Sequence, residues 1–258
     1  MSDMIETAKR ALGLVDLTNL NDDCTEADIS ALTARSVTDH GSVAAVCVFP
    51  RFVAQAAREL KGTGVKVATV ANFPGGGIDT VAVVAEAARA IADGADEIDL
   101  VMPYKAFMDG RKGFAEEMII RVRQVVPEPA LLKVILETGE IGDLLLIHAA
   151  SNVAIAAGAD FIKTSTGKVA VNATLEAAEV MLRVIEERRQ ENAERVIGFK
   201  PAGGLTTTED AASYLALADK IMGHNWVSAS TFRFGSRRLL DALIATIEGR
   251  QQTPGSGY

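Results

Sequence analysis

The sequence predicts an α/β fold, a single (β/α)8 barrel with a short N-terminal helix and a flexible C-terminal tail. Three observations predict it. Eight short β-branched runs alternate with helical patterns along 258 residues, the count and length of a closed barrel. The rival, a doubly wound open sheet, would carry a Gly-rich dinucleotide turn after its first strand, and Val15-Asp16-Leu17-Thr18-Asn19 has none. Finally, the frame G-A-D-x-I occurs at Gly94–Ile98 and again at Gly158–Ile162, an offset that fits two βα units of ~30 residues.

A leading helix near Asp3–Leu12 precedes the first strand, Val15–Thr18. The helix near Glu26–Thr38 opens with Thr25 and Asp28, a pair that satisfies the first free backbone N–H groups reciprocally. Strand Val43–Phe49 leads into helix Phe52–Leu60, and strand Val65–Ala71 leads through the Gly75–Gly77 loop into helix Thr80–Ala92. Each Gly-Ala-Asp then reads as a helix stop feeding a strand, the first Glu97–Met102 and the second Phe161–Thr164. Between them lie helix Phe114–Val125, strand Leu131–Glu137 and helix Leu144–Ala157. Helix Leu175–Gln190 and strand Val196–Lys200 follow, then helix Glu209–Ala218 with Thr206 and Glu209 as its capping pair. The last unit is strand Trp226–Ser230 with helix Arg237–Ile247. Residues 1–250 form one barrel domain, and 251–258 form a flexible tail.

Composition excludes several classes. Apolar residues at 48% and charged residues at 23% describe a globular chain. A net charge of −8 argues against a nucleic-acid partner, while leaving room for a local basic pocket. Apolar runs are too short for a membrane span, and the polar start MSDMIETAKR is not a signal peptide, so a cytoplasmic location is expected. Cys24 and Cys47 form no disulfide framework or zinc spacing, and Cys47 reads as a small core hydrophobe. His40, His148 and His224 have no metal spacing, and Asn21–Glu26 reads as helix capping rather than a calcium loop. No metal and no cofactor are expected.

Three charged residues interrupt apolar strands: Asp99 in EIDLVMP, Lys163 in FIKTSTG and Lys200 in VIGFKPAGG. Any one alone reads as a satisfied ion pair, because burying an unpaired charge is costly. Three together, near the strand ends where barrel enzymes place their chemistry, point to catalysis. A lysine at its ordinary pKa of ~10.4 is a poor nucleophile at neutral pH. Burial and a second ammonium disfavour its charged form and free the amine to attack a carbonyl, with an adjacent carboxylate to shuttle protons. Which lysine is the nucleophile stays open at this level. Lys133 shares a strand face with Ile135 and Glu137, and reads best as an ion pair with a carboxylate on a neighbouring strand. Small-residue loops follow the last three strands, at Ser165–Lys168, Pro201–Gly204 and Phe234–Ser236, and suit the backbone N–H groups to an anion such as a sugar phosphate.

The chain resembles the class I 2-deoxyribose-5-phosphate aldolases over nearly its whole length. The resemblance rests on Asp16-Leu17-Thr18, Cys47–Arg51, Asn72-Phe73-Pro74, Asp96–Val101, Lys133–Gly139, Gly158–Lys168, Gly198–Gly204, Phe232–Ser236 and the terminal Tyr258. It implies a TIM barrel and a metal-independent lyase that splits 2-deoxy-D-ribose 5-phosphate into D-glyceraldehyde 3-phosphate and acetaldehyde. By the same resemblance, Lys163 forms the Schiff base, Lys200 tunes it and Asp99 joins the proton relay. Gly167, Lys168, Gly203, Gly204, Gly235 and Ser236 would surround the phosphate, Asp16 and Thr18 would orient sugar hydroxyls, and Tyr258 would contribute to the relay. A homodimer is expected as well, with no interface identified in the sequence.

Two departures stand out. Family members often carry an arginine near Leu205-Thr206, absent here, while Arg237-Arg238 follow Ser236 where small residues are usual. One of these arginines is expected to supply the missing positive charge, the alternative being two solvated residues on the last helix. Rival functions are another Schiff-base aldolase or transaldolase, a sugar-phosphate isomerase working by acid–base chemistry, and a catalytically silent sensor. The three buried charges disfavour the sensor.

Overall fold

The computed structural model describes residues 2–250; Met1 and the tail 251–258, with Tyr258, lie outside the described residues. Eight parallel strands make the barrel: β1 (Val15–Asn19), β2 (Ala45–Val48), β3 (Lys66–Ala71), β4 (Glu97–Val101), β5 (Leu131–Ile135), β6 (Phe161–Lys163), β7 (Gly198–Lys200) and β8 (Phe234–Ser236). They run in the order β8-β1-β2-β3-β4-β5-β6-β7. The remaining seam is bridged at Phe199–Phe232 and Ala202–Gly235. There Phe199 N–H donates to the Thr231 carbonyl at 2.8 Å and Arg233 N–H returns to the Phe199 carbonyl at 3.0 Å.

The helices are α1 (Ser2–Leu12), α2 (Glu26–Arg35), α3 (Val53–Glu59), α4 (Thr80–Ala92), α5 (Tyr104–Met108), α6 (Lys112–Val125), α7 (Thr138–Ile141), α8 (Leu144–Ala156), α9 (Leu175–Glu191), α10 (Thr208–Met222) and α11 (Leu239–Ile247). Their starts are chemically marked. Thr25 and Asp28 cap α2 reciprocally, as expected, and Thr174 caps α9 by accepting from Ala177 N–H. The expected pair at α10 is displaced by one residue. Thr207 and Asp210 form the box, because the Asp210 carboxylate takes both the Thr206 and Thr207 amides at 2.8 and 2.9 Å.

The repeated G-A-D-x-I frame is one device built twice. Gly94 and Gly158 end α4 and α8 at φ of +104° and +105°, a region that glycine enters without Cβ strain. Asp96 then accepts Val67 N–H at 2.9 Å and Asp160 accepts Leu132 N–H at 2.7 Å, each tying its own strand to the preceding one. The frame therefore brings Asp99 and Lys163 into the barrel at corresponding positions.

Three expectations need correction. The last strand is Phe234–Ser236, not Trp226–Ser230. Residues 226–231 instead fold into a turn closed by Thr231, whose hydroxyl donates to the Trp226 carbonyl and accepts from Ser228 N–H. The helix expected to reach Thr38 stops at Arg35, and Val37–Thr38 pairs antiparallel with Gly41–Ser42. Finally, the short helices α5 and α7 occupy segments expected to be loop or strand end.

The apolar core lies between the barrel and its helices, where Leu17, Ile98, Leu100, Val134, Ile162 and Phe199 bury their side chains. Inside the barrel the picture inverts. Strands β2 and β3 contribute a small separate apolar cluster, Ala45, Cys47, Ala68 and Val70. Strands β1, β4, β5, β6 and β7, with Arg233 just before β8, bring buried charge into the interior.

Candidate active site

Strand alternation sends every second side chain inward. Asp16 on β1, Glu97 and Asp99 on β4, Lys133 on β5, Lys163 on β6, Lys200 on β7 and Arg233 just before β8 meet in this way, all buried. Register does the fine placement: Asp99 lies opposite Lys133, and Lys163 opposite Lys200.

Asp99 is the hub. Its Oδ1 accepts from Lys133 Nζ at 2.9 Å, and its Oδ2 accepts from both Lys163 Nζ and Lys200 Nζ at 2.7 Å. Lys200 Nζ also donates to Asp16 Oδ2 at 2.5 Å, while Arg233 Nη1 holds Asp16 Oδ1 at 2.7 Å. Beneath them, Glu97 accepts from Arg233 Nη2 at 2.8 Å and from the Lys133 ammonium. Lys133 thus makes the expected ion pair with carboxylates of a neighbouring strand, here two of them.

The three lysines are not equivalent. Burial pushes Lys163 below its ordinary pKa, against the pull of Asp99 and with added push from Lys200. Burial acts on Lys200 too, but Asp16 and Asp99 outweigh it and raise its pKa. Lys133 is likewise raised, as Asp99 and Glu97 overcome its desolvation. Asp99 sits well below the usual carboxylate range: burial opposes its charge, but Lys133, Lys163 and Lys200 prevail. Lys163 also keeps 3% of its surface open to solvent, while Lys133 and Lys200 keep none. The arrangement offers one reachable, weakly basic amine, a carboxylate touching it, and two fixed ammonium groups.

The expected phosphate loops gather at the C-terminal end of the strands, beyond this cluster. Gly167, Gly203 and Gly204 adopt φ of +84°, +83° and +82°. The bridge Ala202–Gly235 and the Ser236 hydroxyl donating to the Leu205 carbonyl at 2.7 Å stitch the β7 and β8 loops together. That hydroxyl also accepts the Arg238 and Leu239 amides at 3.2 and 3.1 Å, capping α11. Lys168 is exposed on its loop, 4.0 Å from Asp22 beyond β1. Arg237 and Arg238 are exposed at the start of α11. Thr18 is half-buried and turns its hydroxyl back to the Asp16 carbonyl at 2.8 Å, whereas both Asp16 oxygens serve Lys200 and Arg233.

Several residues escaped sequence reasoning. Arg233 and Glu97 complete the charged layer; inward alternation beside Phe232 and Phe234 would have revealed Arg233 had the strand been placed correctly. Glu137 follows β5 at φ +61°, a strained conformation for a non-glycine residue. Its carboxylate accepts the Thr166 amide at 3.1 Å and hydroxyl at 2.6 Å, holding the β6 loop, and burial raises its pKa. The buried hydroxyls of Thr138 and Ser165 on the same rim have no hydrogen-bond partner among the described residues. His40, His148 and His224 stand apart from the cluster, at Glu248, Glu187 and Asp219 respectively. Among the described residues, no His, Cys, Asp and Glu side chains are grouped to hold a metal ion, and no helix is long and apolar enough to cross a membrane.

The chain is similar to known proteins along nearly all its length. It is 53% identical over 255 residues to the deoxyribose-phosphate aldolase of Agrobacterium fabrum, covering 98% of this chain and 96% of that one. A crystal structure from Toxoplasma gondii assigned as a deoxyribose-phosphate aldolase superposes with a TM-score of 0.87 at 27% identity, covering 97% of both chains. Another so assigned, from Coccidioides immitis, has a TM-score of 0.80 at 30% identity, covering 93% of this chain and 86% of that one. Residues 10–229 match the sequence pattern of the DeoC/LacD family of aldolases, and to that family the chain belongs.

Proposed function

We propose that the chain is a class I aldolase that reversibly cleaves 2-deoxy-D-ribose 5-phosphate into D-glyceraldehyde 3-phosphate and acetaldehyde, with Lys163 as the Schiff-base lysine. One observation carries the assignment of the nucleophile. Of three lysines around Asp99, only Lys163 is driven toward the free amine, while Lys133 and Lys200 are held as ammonium ions. The Lys163 nitrogen adds to the C1 carbonyl of the open-chain sugar, and water leaves the carbinolamine to give an iminium ion. Removal of the C3 hydroxyl proton then breaks the C2–C3 bond, whose electron pair moves into the iminium to form an enamine as glyceraldehyde 3-phosphate departs. Protonation of the enamine carbon and addition of water release acetaldehyde and restore the amine.

Asp99, 2.7 Å from Lys163, serves as the proton relay, directly or through water. Lys200 stabilises the uncharged state of Lys163, and Asp16 holds Lys200 in place. Thr18 faces the sugar hydroxyls, with the hydroxyls of Thr138 and Ser165, unpartnered among the described residues, as further polar partners. The phosphate rests against Gly167, Lys168, Gly203, Gly204, Gly235 and Ser236. Tyr258 belongs to the same proposal as a relay residue from outside the described chain, as do the absence of metal and cofactor, a cytoplasmic location and a homodimer.

Borohydride trapping with acetaldehyde, followed by intact mass and peptide mapping, tests the reading. The expected result is an ethyl group on Lys163, absent without aldehyde, absent in Lys163→Ala and unaffected by EDTA. An adduct on Lys200 would reverse the lysine roles. No adduct on a folded protein that still binds sugar phosphate would favour an isomerase or a sensor, and product analysis with other donors would separate a different Schiff-base aldolase.

A further inference from the structure

We propose that Arg233 and Glu97 are positioning residues of this site, Arg233 being the permanent cation that leaves the buried ion-paired network neutral only while Lys163 is an amine. The role rests on the Schiff-base reading of Lys163. Among the described residues, three carboxylates inside the barrel, Asp16, Glu97 and Asp99, are ion-paired with four cationic groups, Lys133, Lys163, Lys200 and Arg233. One cation is therefore in excess when all are charged. Arg233 cannot be the one to give up its proton, since a guanidinium stays protonated in proteins. It is only 4% exposed, and its donors are committed to Asp16, to both oxygens of Glu97 and to the Ala229 carbonyl. The Phe161 ring packs 5.8 Å from its guanidinium carbon.

Lys200 is bound by two carboxylate oxygens and Lys133 by Glu97 and Asp99, whereas Lys163 holds a single oxygen that it shares. The proton is thus cheapest to lose at Lys163. The groups facing Lys163 are Asp99 from β4, Lys200 from β7, the Cys47 thiol from β2 and Glu137 beyond β5. Among the described residues Glu137 makes no ion pair with any of the four cations; its carboxylate is occupied by Thr166. Cys47 is held neutral by burial. Cys47 therefore adds no charge, and Glu137 acts on Lys163 through space from outside the ion-paired network.

A purely structural ion pair would be indifferent to the sign of the charge removed, and the test exploits this. Adduct formation depends on the free amine of Lys163, so its rate falls as pH drops through the pKa of that group. Acetaldehyde has no titrating group of its own, so the acid limb reports the enzyme. Arg233→Met removes a buried cation, makes protonated Lys163 easier to accommodate and moves the acid limb to higher pH, by about one unit for a buried charge acting through the network. Glu97→Gln removes a carboxylate and moves the limb to lower pH. Arg233→Lys keeps the charge and leaves the limb in place, and the double variant Arg233→Met/Glu97→Gln restores it.

The experiment is the pH dependence of borohydride-trapped acetaldehyde adduct on each full-length variant, with folding checked by circular dichroism. Opposite shifts in the two single variants support the role. Limbs that stay at the wild-type pH in folded variants, or shift in the same direction, overturn it; where Arg233→Met does not fold, Glu97→Gln and the double variant read the same balance. Absence of adduct in the wild-type enzyme would instead strike the Schiff-base reading itself.

Discussion

Lys163 and Lys200 occupy one register position on neighbouring strands and converge on a single oxygen, Asp99 Oδ2, at 2.7 Å each. The convergence divides their behaviour. Lys200 has a second carboxylate, Asp16, at 2.5 Å and stays charged, whereas Lys163 has only the shared oxygen. Two ammonium ions on one carboxylate oxygen are disfavoured, and the proton leaves the less supported partner.

Replacing Lys200 by methionine should therefore raise the pKa of Lys163. At neutral pH the rate of deoxyribose-phosphate cleavage should fall roughly a hundredfold, within the range for loss of a group that sets a catalytic protonation state. Part of the loss should be regained at higher pH, where Lys163 deprotonates without help. A loss that is the same at every pH would mean that Lys200 acts on another step.

Asp99→Asn removes the acceptor that three lysines share. Breaking a fully buried ion network costs about 3–5 kcal/mol because the partners stay buried without their counter-charge. Urea unfolding should show that loss, and trapped adduct should form slowly even where the protein is folded, since the proton relay is gone. Wild-type stability in this variant would mean that Asp16 and Glu97 suffice to hold the lysines.

Much of this was legible in the sequence, and the failures share a cause. Strands β1–β7 are short apolar runs, and on β1, β4, β5, β6 and β7 an inward charge stands out against apolar neighbours. The last strand does not fit that pattern: Phe232-Arg233-Phe234 buries two outward rings around an inward guanidinium, while Trp226-Val227 resembles a strand yet forms a turn held by Thr231. Misplacing the strand hid Arg233, and with it the lower half of the charge network. Glu97 gave no separate signal, because a glutamate at a strand start is ordinary until its partner is known. The Gly41–Ser42 hairpin is too short to leave a periodicity. The G-A-D-x-I echo was legible in full, since glycine and aspartate perform the same backbone tasks at both places.

Gly198 opens β7 inside the barrel, and a Cβ there would stand 2.3 Å from the Phe161 ring. Gly198→Ala should cost about 1–3 kcal/mol, the usual penalty of overpacking. The same ring packs 5.8 Å from the Arg233 guanidinium carbon, so displacing it disturbs the charged layer as well as the packing. The urea midpoint should fall and the acid limb of adduct formation should shift with it. A stable variant with an unmoved limb would show that Phe161 can turn aside without consequence.

Phosphate recognition separates side-chain from backbone contributions. Lys168, Arg237 and Arg238 are exposed cations on the segments after β6 and β8. Removing one cation that hydrogen-bonds a phosphate should raise KM about tenfold. The expectation is such a rise in Lys168→Ala and in one of Arg237→Ala and Arg238→Ala with 2-deoxyribose 5-phosphate, and no change with unphosphorylated 2-deoxyribose. The unphosphorylated sugar is the control that matters, because a general loosening of the loops would raise both KM values. Unchanged KM in all three variants would assign the anion to the backbone N–H groups of Gly167, Gly203 and Gly204. Their positive φ angles would then be the feature that recognises phosphate, and Gly204→Ala, strained at φ +82°, would be the variant that loses it.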